Sequence, residues 1–184
     1  KLLELYLPGM WAMCGYYCHF KDGHQDVICC TAAQTTIPKE EFFLAISLGA
    51  YNPWNKLFKR SVIEKAGLRF STQMTLGEDA LFVWQYLQAI SGGFRLTSLP
   101  LNHYTWPEGN SLTQKLPENY HEQCTYFFEQ IHKDIQQGAP CSPDSFQSFV
   151  DLCYFQFERA LKRIFQNDRH SLQKRIAIAN NVMQ

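Results

Sequence analysis

The spacing of apolar residues changes near residue 114, and one kind of secondary structure cannot serve both sides of that point. Beyond it, Tyr120, Cys124, Phe127, Phe128, Ile131 and Ile135 recur at steps of three and four, as do Phe146, Phe149, Val150, Cys153, Phe157, Leu161 and Ile164. That period lines one face of a helix, so two amphipathic helices are predicted there. Ser142 and Pro143 supply a natural cap and first turn for the second, with a loop over 136–141, and a weaker third helix is read over 171–183.

Before residue 114 the runs are shorter and more β-prone. Residues 13–20 and 26–31 flank Lys21-Asp22-Gly23, where Asp-Gly favours a hairpin. Residues 1–12 read as the end of a helix. Pro38 at a first helical position, with Glu40 and Glu41 in the first turn, starts another that runs to about residue 48. Thr75 and Glu78 have capping-box spacing ahead of a helix carrying Ala80, Val83, Trp84 and Leu87 and stopped by Gly92-Gly93. Residues 94–99 and 101–105 read as two extended segments parted by Pro100. The fold class is therefore α/β, followed by a helical hairpin or bundle, with the division set at 1–113 and 114–184.

At 184 residues, 46% of them hydrophobic and 15% aromatic, the chain can build a real core. Seventeen basic side chains offset seventeen acidic ones, so no overall field draws nucleic acid, and phosphate chemistry must be local. The uncharged stretches 5–20 and 80–94 are broken by Pro8, Gly9 and His19 or by Gln85, Gln88 and Gly92, so neither reads as a membrane span. No secretory leader is read in residues 1–13. Seven cysteines without CxxC pairing point to reduced, mostly buried thiols; Cys14, Cys18 and His19 lack the second ligand pair of a zinc site.

Polar groups concentrate among apolar ones in residues 53–60, in Gly77-Glu78-Asp79, in His103-Tyr104-Thr105-Trp106, and at Ser111. The first three are expected to converge on one cleft. Glu78 suits a helix cap, whereas Asp79 lacks local employment and can act as a general base toward a hydroxyl. Asn55, Lys56, Lys59 and Arg60 read either as a solvated basic patch or as a diphosphate cradle. Trp54 suits the core or a platform on which a ring stacks. His103 reads as a structural residue or as a ligand of a diphosphate or its cation.

Asn55-Lys56-Leu57-Phe58-Lys59-Arg60, Ala66-Gly67-Leu68-Arg69-Phe70, Gly77-Glu78-Asp79-Ala80-Leu81-Phe82, and Leu101-Asn102-His103-Tyr104 through Ser111-Leu112-Thr113 together resemble the second half of family 2 glycosyltransferases, many of them bacterial enzymes of surface-polysaccharide synthesis. The resemblance spans residues 1–113. It implies a partial GT-A (Rossmann-like) sheet and inverting transfer from a nucleotide sugar to a saccharide or lipid-linked acceptor. Asp79 is the implied base, with Glu78 beside it; Trp54, Asn55, Lys56, His103, Tyr104, Trp106 and Ser111 are implied to bind substrate.

The family's Asp-x-Asp and nucleotide loop are absent from these residues. The expectation is therefore a C-terminal, acceptor-side portion that binds nucleotide sugar poorly by itself. A divalent Mg or Mn ion is implied for the complete enzyme, with His103 as a candidate ligand. Cytoplasmic location is implied too, with room for peripheral contact at the inner face of a membrane and for homo-oligomers. A reading from another class makes the aromatic helices 120–135 and 146–164 a non-catalytic interaction or dimerisation module. A metal-dependent phosphohydrolase lacks the Asp and His cluster it requires.

Overall fold

The computed structural model describes residues 1–5, 7–106, 117, 119–166 and 170–182, and it is a mixed α/β chain. Five strands form one mixed sheet: β1 (Trp11–His19), β2 (Gln25–Ile28), β3 (Gln34–Ile37), β4 (Lys56–Leu57) and β5 (Phe94–Thr105). Their order is β2-β1-β5-β3, with β4 also pairing β1. β1 runs parallel to β5 and antiparallel to β2 and β4, while β3 closes the other edge antiparallel to β5. The helices are α1 (Arg60–Lys65), α2 (Glu78–Ala89), α3 (Tyr120–Gln136), α4 (Pro143–Gln166) and α5 (Leu172–Val182).

The hairpin forms where Asp-Gly places it. Gly23 takes φ +82°, a left-handed conformation that costs glycine little, and the Phe20 N–H bonds the His24 carbonyl at 2.9 Å. The second long helix also starts as expected: the Ser142 hydroxyl accepts the Ser145 N–H at 3.2 Å, and Pro143 opens α4.

Other expectations are corrected. Residues 1–12 hold one 3₁₀ turn, Leu2–Leu5, and Trp11 and Ala12 already belong to β1. The turn ends at Pro8-Gly9, where Gly9 takes φ +78° and its carbonyl accepts the Gly92 N–H. Pro38 is extended rather than helical (ψ 153°), and Lys39–Leu48 is 3₁₀-helical with a kink at Glu41.

No capping box forms at α2. Its N-cap is Gly77 at φ +88°, and Thr75 is bonded instead to Gln123 of α3. Pro100 does not divide two strands, since β5 is continuous through it. The register against β1 jumps from Cys14↔Thr97 to Gly15↔Pro100 to Tyr16↔Asn102, so a proline without an N–H sits where the ladder is already broken.

A single apolar core runs through the sheet, α2 and the helices beyond residue 114. Trp11, Met13, Phe94 and Leu96 from β1 and β5 meet Phe42, Phe43, Trp84 and Leu87, and the same cluster continues into Phe127, Phe128, Ile131 and Phe149. Polar ties reinforce the junction: Trp84 Nε1 donates to Asp134 Oδ2 at 2.8 Å, and the Phe43 N–H donates to the Ser145 hydroxyl at 3.1 Å. Each fully buried aromatic stabilises by about 2–3 kcal/mol.

The tightest approach in the sheet lies at Gly93, just ahead of β5. A Cβ there would stand 2.0 Å from the Ile37 carbonyl oxygen, while the Gly93 carbonyl accepts the Trp11 N–H at 3.0 Å. Backbone on both sides cannot yield as a side chain would. Gly93→Ala is expected to cost about 3 kcal/mol, read as a drop in the urea midpoint; an unchanged midpoint would show that the strand starts are not so closely packed.

Candidate functional site

The candidate residues fall into two settings on either face of the β1–β5 pair. Past the break in register Tyr17 faces His103 and Cys18 faces Tyr104, so side chains alternate between faces. Tyr17, His19 and His103 share one face: the His103 ring stacks on Tyr17 and His19, and His19 Nε2 lies 2.8 Å from His103 Nδ1. Tyr16 and Tyr104 share the other with Trp54, whose indole stacks on Tyr104 at 5.4 Å and 7° and meets Tyr16 edge-on at 4.8 Å. Trp106 continues the row, edge-on to Tyr104 at 6.2 Å and stacked on Phe20.

Asn55 and Lys56 are buried beneath that row. Asn55 is fully buried; its amide nitrogen reaches the carbonyls of Cys14 (3.3 Å) and Gly49 (3.4 Å), and its own carbonyl accepts the Cys14 N–H. The Lys56 ammonium donates to Gly49 O at 2.9 Å, Asn52 O at 2.5 Å and Asn55 Oδ1 at 2.6 Å, and stands 5.5 Å from the Trp11 ring. Three oxygens match the three donors of an ammonium. Burial pushes its pKa well below the lysine norm, opposed by the charges of Cys14 and Asp79. Lys56 is thus a structural cation, with its donors spent inside the chain.

Asp79 lies in the first turn of α2 after Glu78, partly buried, with Oδ1 accepting the Ala80 N–H at 2.7 Å. Burial raises its pKa above the ordinary 3.8, the Ala80 hydrogen bond opposes, Glu78 adds to the rise, and Lys56 pulls back. A carboxylate so placed holds its proton more tightly than a solvated one, which suits a base working near neutral pH. The loop before it is held from α3: Gln123 Oε1 accepts the Thr75 and Leu76 N–H groups at 3.0 and 3.1 Å, and its Nε2 donates to Asn119.

Asp79 opens on a cavity of about 250 Å³. Met74, Leu76, Phe127, Phe128 and Leu152 make it apolar, and Tyr51, Gln156 and Arg159 bring polar atoms. None of these three was singled out from the sequence. Arg159 and Gln156 lie a helical step apart in an aromatic stretch, which is the one local signal they leave.

The structure links Trp54, Asn55, Lys56, Tyr104 and Trp106 through shared neighbours, Gly49 touching both Lys56 and the Tyr16 side of the row, while Asp79 is tied to them only by its electrostatic interaction with Lys56. His103 stands on the opposite face, and Ser111 lies outside the described residues. Among the described residues no three His, Cys, Asp or Glu side chains gather to hold a metal ion. No step below runs through such an ion.

All seven cysteines are unpaired, and burial raises the thiol pKa of Cys14, Cys18, Cys30, Cys124, Cys141 and Cys153, which leaves them poor nucleophiles.

No protein-family model matches the chain, and no curated protein matches it.

Replacing Lys56 by Met keeps the aliphatic stem and strips three buried oxygens of their donor. It is expected to lower stability by about 3 kcal/mol in denaturant unfolding. A loss under 0.5 kcal/mol would show that the ammonium is not the centre of this network.

Proposed function

We propose that the chain is the acceptor-side part of an inverting nucleotide-sugar glycosyltransferase of GT-A type, with Asp79 as the general base. The observation that carries this reading is a carboxylate made reluctant to ionise by burial, at a helix N-terminus and at the mouth of an apolar cavity. Oδ1 is fixed by the Ala80 N–H, which leaves Oδ2 to accept the proton of an acceptor hydroxyl. The acceptor oxygen then bonds to the anomeric carbon as the bond to the diphosphate breaks on the opposite side of the ring, and the configuration inverts. In this reading the half that grips the nucleotide lies outside residues 1–184, and Trp54 and Tyr104 offer their free faces to a pyranose.

Asp79→Asn in the complete enzyme should lower kcat by about 10³-fold or more while the donor Kd stays within about twofold. Wild-type kcat should rise with pH along an acidic limb centred above 3.8, because the base works only when ionised. The stability sign is opposite. A carboxyl whose folded pKa is raised stabilises the native state while protonated, and that contribution disappears as pH climbs through the raised value. Asp79→Asn should therefore melt no lower than wild type at pH 7. Near-normal turnover by the variant, in steady-state transfer assays, would overturn the assignment.

A second reading has its own observation. Tyr154 (73% exposed) and Phe155 (55%) on α4, with Leu172 (59%) and Ile176 (45%) on α5, leave apolar surface uncovered, as an interaction module would. If these helices dimerise the chain, Tyr154→Glu shifts the sedimentation coefficient from dimer to monomer. A monomer in both proteins removes this reading.

A further inference from the structure

The cavity beside Asp79 carries more polar equipment than a base requires. Its floor is apolar, from Met74, Leu76, Phe127, Phe128 and Leu152. The Arg159 guanidinium lies 6.0 Å from the Tyr120 ring and 5.8 Å from the Phe155 ring, and among the described residues its hydrogen bond is Nη1 to Gln156 Oε1 at 3.3 Å. Among the described residues no carboxylate within ion-pair distance neutralises it. Tyr120 donates its hydroxyl proton to the same Gln156 oxygen, and the Gln156 amide N–H groups have no hydrogen-bond partner among the described residues. The Tyr51 hydroxyl is buried without a hydrogen-bond partner among the described residues.

Donors therefore outnumber acceptors at this cavity, and Asp79 is the one charged acceptor on its lining. A partly buried cation with no carboxylate partner among the described residues forms a charge-assisted hydrogen bond when an oxyanion reaches it. We infer that the cavity binds an amphipathic anion, with an apolar group of roughly six to ten carbons against Phe127, Phe128 and Leu152 and an oxyanion head on Arg159 and Gln156. A cavity of about 150 Å³ takes up benzene, so about 250 Å³ accommodates a larger apolar group. Naming this ligand the acceptor rests on the reading of Asp79 as base; the binding itself does not.

Titration of the 184-residue chain with four probes tests it by calorimetry: phenyl phosphate, benzoate, inorganic phosphate and benzyl alcohol. Phenyl phosphate is expected to bind with a Kd of about 1 mM or tighter, and inorganic phosphate and benzyl alcohol at least tenfold more weakly, since each lacks one half of the ligand. Benzoate matching phenyl phosphate would assign the head as any oxyanion, and weaker benzoate would assign it as phosphate; both uphold the site. Arg159→Met, which keeps the stem beside Tyr120, should raise the phenyl phosphate Kd about tenfold or more. Leu152→Phe, which fills the cavity, should abolish binding and provides the check should the arginine variant fail to fold.

Four probes binding alike, no probe binding at 10-fold that concentration, or a Kd untouched by both substitutions would overturn the inference. Sugar transfer by the complete enzyme with no phenyl phosphate binding would sink this site and leave the glycosyltransferase reading standing. Binding without transfer would do the reverse.

Discussion

A buried ammonium needs every one of its protons accepted, and around Lys56 that requirement organises the surrounding chain. The Gly49 and Asn52 carbonyls belong to the turn after the 3₁₀ segment, Asn55 Oδ1 to the residue before β4, and Asn55 in turn holds the backbone of Cys14 in β1. Residues 49–56 thus wrap one charge and tie it to β1, 41 residues away. Gly49 is the pivot: at φ +80° it presents its carbonyl to Lys56, and any Cβ there would press on Asn52, Asn55 and Tyr16. The network also fixes where Trp54 emerges, because Asn102 of β5 donates to the Trp54 carbonyl at 2.6 Å from the neighbouring strand. An aromatic platform standing on a satisfied buried cation is more rigid than one carried on a free loop.

The helices beyond residue 114 do for Asp79 what Asn55 and Lys56 do for Trp54. Gln123 ties down two backbone N–H groups just ahead of α2, Asp134 holds Trp84, and Ser145 holds Phe43. All three are single polar side chains reaching from α3 or α4 into the sheet-bearing part, and Asp134 and Ser145 accept from groups of the buried residues Trp84 and Phe43. A change in these helices therefore reaches the cavity and the base, even though the spacing of their apolar residues describes only self-contained amphipathic helices.

How much of this was readable follows from how local each signal is. α3 and α4 were legible because a 3.6-residue period over many turns has no competing explanation, and the Asp-Gly hairpin because its turn requires a positive φ. β3 was not, since Gln34–Ile37 is four residues of mixed polarity whose strand character comes from pairing with β5. The capping box at Thr75 was a correct local pattern overridden by Gln123, forty-eight residues away. Pro100 looked like a boundary because proline usually is one; only the long-range register with Gly15 shows why it is tolerated. At the candidate site, Asp79 and Trp54 stood out by type and setting. The separation of His103 from Tyr104 was legible in principle, because neighbours in a strand face opposite ways. Arg159 and Tyr51 could not have been found, as their meaning depends on which wall faces them.

Lys56 and Asp79 also bear on one another in a way that neither residue's surroundings alone would predict. Burial acts to neutralise both, raising the carboxyl's pKa and lowering the amine's, while their mutual attraction opposes both shifts. Three oxygens on the ammonium support its charged form against that burial and hold its donors inside the chain. The carboxyl has one hydrogen bond, an acidic neighbour and an open cavity, and it is the member left free to titrate. That asymmetry is what a base requires: a proton acceptor that is not trapped by a direct ion pair, since a salt bridge in contact would pull its pKa down and blunt its appetite for a hydroxyl proton.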